Sequence, residues 1–340
     1  MLSHDMDPHR IVYLDVNYLS NLAKARSNYS PEDHDSQFWS LLFDDIREAV
    51  LADRVACPEL DLQRDEASFD SRIEPVVWEI LGELSLWLEF RPSERIMQQQ
   101  IEDAAFRFLG KELPERESWV VAFRSDPQEA VARRMQALGP VKVHLSWSPR
   151  IVEHDRRVRE KGRDTREGLL KLPAHASFRK ELLAQKVGLV DHILGRANMQ
   201  MILEQWQSDQ PRDRAIGLDN FSKLKERWTR LRQMGLVDVS EAVRFLNSDE
   251  LLNAPYVDIF SSISAVIFKN YKDRTPKGSD SYDLKTLATV LPYCDIVTTD
   301  GFMKQVLVEE LHFDRKYTCR VFSCSKSDRV AFQELIRQLE

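Results

Sequence analysis

Residues 279–302 read SDSYDLKTLATVLPYCDIVTTDGF. The stretch sets four aspartates, Asp280, Asp283, Asp295 and Asp300, around two apolar patterns. Leu284, Leu287 and Leu291 recur at helical spacing, and Ile296 and Val297 form the centre of a short strand. An unpaired carboxylate is costly to bury beside apolar residues. These acids therefore either cap helices and edge into solvent, or gather around a cation.

A second stretch gives them a partner. Residues 10–25, RIVYLDVNYLSNLAKA, open with a continuous apolar run, Ile11 to Leu14, and Asp15 follows it directly. Such a run fits a strand buried on both faces of a parallel sheet. Tyr18, Leu19 and Leu22 then recur at helical spacing. Asp15 and Asp300 each end a strand and precede a helix, so capping is an even-handed alternative for either one alone. Asp280 and Asp283 lie three apart at a helix start, where they share a face and favour the positive end of the helix dipole. Capping explains one of them well and two less well. Asp295 begins its strand, which puts it at the opposite end from Asp15 and Asp300.

Ligands of open parallel sheets bind beyond the carboxyl ends of the strands, where the strand order reverses. A right-handed crossover returns the helix that starts at Asp280 to that edge. Carboxylates converging there repel unless cations neutralise them. Oxygen ligands without His or Cys select Mg²⁺ or Mn²⁺ over zinc.

The remaining pattern is α/β at both ends of the chain. Residues 35–51 predict an amphipathic helix through Phe38, Leu41, Leu42, Ile46 and Val50. Arg54 to Pro58 predict a short strand, and Pro75 to Phe90 a helix. The middle is long, charged and mainly helical: helices are expected over 96–109, 127–138 and 177–207, the last broken near Gly188 or Gly195. VVAF at 120–123 and VKVHL at 141–145 fit short strands. After residue 250 come a helix at 256–272, a helix at 282–292, a strand at 294–300, a helix at 302–312, a strand at 319–323 and a closing helix at 328–339. The expected organisation is an α/β domain in two parts, 1–90 and 251–340, carrying a helical insertion at 91–250.

The 340 residues, 43% hydrophobic and 30% charged, read as globular. A net charge of −7 excludes a wholesale basic nucleic-acid coat, so any nucleic-acid contact is local. The four cysteines, Cys57, Cys294, Cys319 and Cys324, form no CxxC pair, and free thiols suit a reducing, cytoplasmic setting. The start MLSHDMDPHR has no apolar core of a signal peptide, and no run approaches a membrane span.

IVYLDVNYL at 11–19, followed far downstream by SDSYDLKTLATVLPYCDIVTTDGFM at 279–303, resembles the PIN-like nuclease family. The likeness lies in residues 10–70 and 255–325: an apolar strand ending in Asp15 with Asn17 two positions on, an acid after the second strand, acids at a late helix start, and Thr298-Thr299-Asp300 at a strand end. For the second acid, Glu66 fits best among Glu59, Asp61, Asp65 and Glu66, with Asp65 next. The resemblance implies a Rossmann-like parallel sheet flanked by helices. It implies a metal-dependent hydrolase that binds and cleaves nucleic acid, RNA before DNA, leaving 5′-phosphate and 3′-hydroxyl ends. Paired Mg²⁺ or Mn²⁺ ions would be held by Asp15, Glu66, Asp280, Asp283 and Asp300, with Asn17 and Thr299 positioning phosphate or carboxylate groups.

Lys223, Lys225, Arg227 and Arg230 in KLKERWTRLR are the candidate phosphate contacts. Trp228 there either stacks a base or packs with Leu224 and Leu231, and packing is the commoner fate. The mixed-charge run at 150–171, with His154 beside Asp155, reads as a solvated helix, and Trp119 and Trp147 as packing residues. The insertion would shape substrate access, bind a protein partner or mediate self-association. Two other readings compete: a non-catalytic PIN-like binding module, and a haloacid-dehalogenase-type phosphohydrolase. The latter wants a second Asp where this chain has Asn17.

Overall fold

A computed structural model of the chain describes residues 10–27, 34–67, 72–86, 88–113, 121–124, 177–197, 228–271, 274 and 280–339. The expected helix at 127–138, the strand at 141–145, the run at 150–171 and Trp119 and Trp147 lie outside them. So do residues 198–207 of the third expected helix, and Lys223, Leu224, Lys225 and Arg227. The chain divides into two compact units. Unit one takes residues 1–93, 116–168 and 276–340, and unit two takes 94–115 and 169–275.

Unit one begins with β1 (Arg10–Tyr13) and α1 (Val16–Arg26), then α2 (His34–Leu51), β2 (Val55–Ala56), α3 (Asp61–Ala67) and α4 (Glu74–Ser85). The apolar run after Arg10 makes β1 an inner strand, with β2 on one side. Helix α4 stops at Ser85 rather than running on to Phe90. Leu86 turns left-handed (φ 47°), and the chain beyond it pairs as strand: Glu59 bridges Glu89 in parallel, and Phe90 bridges Phe123 antiparallel. The physical reason is the period-2 alternation of Leu86, Leu88 and Phe90, a strand signal inside an apolar run. Of VVAF, only Phe123 takes part in that pairing among the described residues; Val121 and Ala122 are helical.

The chain then passes through α5 (Ser93–Phe108) into unit two, which holds α6 (Phe178–Leu194), α7 (Val239–Phe245), α8 (Asp249–Leu252) and α9 (Pro255–Asn270). Helix α6 ends at Gly195, whose left-handed φ of 66° closes the last turn through its N–H to the Asp191 carbonyl. Gly188 lies inside the helix and does not break it. Leu231, Leu236, Phe245, Leu246, Leu251 and Val257 build the core of this unit, with Trp228 packed against it. A buried ion pair, Lys186 Nζ to Asp258 Oδ1 at 2.6 Å, ties α6 to α9, and Lys186 also donates to Asn253 Oδ1 at 3.0 Å. The helix expected to open the returning α/β segment, now α9, thus groups with unit two.

Unit one resumes with α10 (Asp280–Val290), a 3₁₀ turn at Leu291–Tyr293, β3 (Ile296–Thr299), α11 (Gly301–Gln305), α12 (Phe313–Lys316), β4 (Arg320–Ser323) and α13 (Lys326–Gln338). The single helix expected over 302–312 is broken. Residues Val306–Glu310 form a π turn, and His312 adopts a left-handed φ of 53° before α12.

The four strands form an all-parallel sheet in the order β2-β1-β3-β4. Val12 pairs with Ile296 and Thr299 with Ser323. The chain leaves β1 toward β2 on one side and reaches β3 on the other, so the order reverses between β1 and β3. Parallel sheets need cover on their faces. Here Tyr18, Leu22, Leu42, Ile46, Ile80 and Phe332 are fully buried members of a single cluster, brought by α1, α2, α4 and α13. The Tyr18 ring meets Trp39 and Phe332 edge-on, and its O–H donates to the Ser323 carbonyl at 2.8 Å. That bond locks α1 to the end of β4.

The four cysteines are free, and Cys57, Cys294 and Cys319 are buried; burial pushes the Cys57 thiol up to about 12. Among the described residues no helix is long and apolar enough to cross a membrane.

Candidate metal centre

Asp15 lies two residues after the last residue of β1 and caps α1. Its Oδ2 accepts the Asn17 backbone N–H at 3.3 Å and the Asn17 side-chain N–H at 2.7 Å. Its own N–H donates to Thr298 Oγ1 at 2.7 Å, which stitches the ends of β1 and β3 together at the reversal point. The carboxylate is thus held by its neighbours and is nearly closed off from solvent, with 6% exposure. Burial pushes its pKa up, the two Asn17 bonds oppose the rise, and the charge of Asp300 adds to it; the result is about 6.

Glu66 arrives on α3, the helix after β2, and Asp283 on the first turn of α10, the helix before β3. Both are half-buried. One carboxylate oxygen each of Asp15, Glu66 and Asp283 lies within 4.8 Å of the others. Burial, then the charges of Asp15, Glu66, Asp300 and Asp280, raise the Asp283 carboxyl well above its ordinary range. Two carboxylates at that spacing repel by roughly 3 kcal/mol at an effective dielectric near 20. Three cannot all stay ionised at neutral pH at little cost unless a cation sits among them.

The other acids fall into place around this cluster. Asp300 caps α11, its Oδ1 accepting the Met303 N–H at 2.6 Å, and acts on Asp15 and Asp283 through its charge. Asp280 is fully buried at the start of α10 and acts on Asp283 in the same way. Neither joins the three-oxygen cluster. The five acids expected as ligands thus separate into three that meet and two that surround them. Asp295 lies at the opposite edge of the sheet, as its place at the start of β3 required: it accepts the Ile11 N–H at 2.8 Å and pairs with Arg10 at 3.3 Å. Asp65 lies in α3, but its side chain is outside the described residues.

Of the residues expected to hold phosphate or carboxylate, Asn17 is committed to the Asp15 carboxylate. Thr299 is buried, and the hydroxyl that serves the site is that of Thr298. Arg230 is exposed on a helical turn of unit two, Trp228 is half-buried, and Leu231 is fully buried.

Two further residues support the cluster without having been expected. Gln63 joins α3 to Leu14 at the end of β1. Tyr13 hydrogen-bonds Thr286, one turn after Asp283. Burial, with the charges of Asp15 and Asp283's neighbour Glu66, holds the Tyr13 phenol well above its ordinary range, so it stays protonated and anchors α10. Tyr13 ends β1 two residues before Asp15, which is itself extended, so the strand period of 2 pointed to Tyr13 as its neighbour on the same side. Gln63, three residues before Glu66, was visible by helical spacing.

No protein-family model matches the chain, and neither a curated protein nor a solved structure matches it. The donors therefore decide what the site fits. Three carboxylate oxygens with no nitrogen or sulfur suit a hard divalent cation. A spacing of up to 4.8 Å is what ligands on opposite sides of one such ion need, at about 2.0–2.6 Å each.

Proposed function

We propose that the protein is a divalent-metal-dependent nuclease of PIN-like architecture that hydrolyses phosphodiester bonds, with RNA as the expected substrate. The observation that carries this reading is the convergence of Asp15, Glu66 and Asp283, from three separate segments, at the reversal point of a parallel sheet. Mg²⁺ or Mn²⁺ bound there supplies a lowered water pKa and charge neutralisation at the phosphate. The chain's own residues do the rest. Asn17 orients the Asp15 carboxylate, and Thr298 fixes the backbone beneath it. Asp280 and Asp300 surround the cluster with negative charge that favours a cation. The same acids would repel a phosphate in the absence of one.

The test is incubation of the purified protein with labelled single-stranded and structured RNA in Mn²⁺, beside an Asp283→Asn variant. Expected are fragments with 5′-phosphate ends, lost on chelation and in the variant. Chelator-insensitive cleavage, or equal cleavage by both proteins, contradicts the proposal. A second reading, a PIN-like binding module without hydrolysis, is favoured by the position of Asp280 and Asp300 outside the cluster. Mn²⁺ binding with RNA retention and no cleavage under any of these conditions would select it.

A further inference from the structure

Glu66 reaches the cluster on a helix of seven residues, Asp61–Ala67. A helix that short does not hold itself in place, because its own hydrogen bonds barely offset nucleation. Gln63 supplies an anchor. Its side chain is almost fully enclosed, with 1% exposure, and uses both ends of its amide. The Oε1 accepts the N–H of Leu60, the residue just before the helix, at 2.6 Å. This is the side-chain half of a capping box, in which the third helical residue reaches back to the cap. The Nε2 donates to the carbonyl of Leu14 at 2.5 Å, and Leu14 immediately precedes Asp15. Glu66 lies three residues beyond Gln63, on the same helix face. A single amide thus joins the first turn of the helix that carries one carboxylate to the residue before the other.

We infer that Gln63 is a positioning residue: it sets the spacing of the Glu66 and Asp15 carboxylates and thereby the affinity of the site for a divalent ion. The inference rests on the metal reading above. Gln63 makes its contacts to protein groups, so it acts through Glu66. A residue that merely capped α3 would alter stability and leave ion binding untouched once the protein is folded.

The test is Mn²⁺ titration of the full chain, with free ion read by electron paramagnetic resonance and folding confirmed by circular dichroism. Gln63→Met is expected to weaken Mn²⁺ binding about 10- to 100-fold, the range for residues that orient a ligand. In a Glu66→Gln background the same change is expected to have less than about a twofold effect, since residues acting as a unit are not additive. Should Gln63→Met fail to fold, Gln63→Asn replaces it; one methylene shorter, it cannot span both contacts, and weaker Mn²⁺ binding is again expected. Native-like affinity in the folded variant, or an equal loss with and without Glu66, overturns the role of Gln63 alone. Absence of Mn²⁺ binding by the native chain overturns the metal reading, and this inference with it.

Discussion

Asp15→Asn is expected to lower Mn²⁺-dependent RNA hydrolysis by about 10²–10³-fold, the range seen when one preorganised electrostatic group is removed from an active site. Asp15 is the member of the cluster most enclosed by protein and is placed by three neighbouring groups: the Asn17 backbone N–H at the start of α1, the Asn17 side chain and the Thr298 hydroxyl. The amide is nearly the same size and can still accept the Asn17 backbone N–H, so α1 keeps its cap. Only the charge is lost. Initial rates on a labelled single-stranded RNA, with thermal unfolding as a control for folding, give the comparison. Equal rates from the two folded proteins would mean that hydrolysis does not depend on this cluster.

The second large effect is on stability, and it reverses the usual acid dependence. The Asp15 pKa in the folded protein is about 6, against about 3.9 for an unfolded chain. Between those values the folded protein binds the extra proton, so stability falls as pH rises through the window. The full deficit, about 3 kcal/mol, is present above pH 6 and relieved below pH 4. Asp283 is raised as well and acts in the same direction. Asp328 does not interfere: burial opposes, but hydrogen bonds from Lys304 and Ser323 outweigh it and hold its carboxyl below the ordinary value. Its stabilisation is therefore lost only below that range. In chelator, urea unfolding at pH 5 and pH 7 is expected to show the native chain gaining about 1 kcal/mol on acidification relative to Asp15→Asn. At pH 7, Mn²⁺ at a hundred times its Kd adds about 2.7 kcal/mol to the native chain. An identical pH response in the two proteins would contradict the buried, mutually repelling acids.

The framework was legible because its signals are local. The run that begins at Ile11 and the pair Ile296 and Val297 lie in the two inner strands, and Asp15 and Asp300 come after them at the same sheet edge. Asp295 was excluded from that edge by strand direction alone. The end of α4 was missed because Leu86, Leu88 and Phe90 lie in an apolar run that suits helix and strand alike until Leu86 turns left-handed. The break after Gln305 has no glycine or proline to mark it, and His312 takes its left-handed φ without being a glycine.

In the site, sequence spacing named the acids but could not rank them. Five carboxylates lie near one another; which oxygens come within 4.8 Å depends on how α3 and α10 are anchored. Those anchors, Gln63 to Leu14 and Tyr13 to Thr286, join positions far apart in the chain. The choice of Thr298 over Thr299 likewise turns on which face of β3 meets Asp15, and strand alternation fixes that only once the sheet is formed.

The central claim is that Asp15, Glu66 and Asp283 together hold a divalent ion. Anomalous diffraction at the manganese edge from crystals grown in Mn²⁺ tests it most directly. Expected is a peak about 2.0–2.6 Å from a carboxylate oxygen of each of the three residues. Ordered carboxylates with no peak among them, at an Mn²⁺ concentration that supports cleavage, would contradict it.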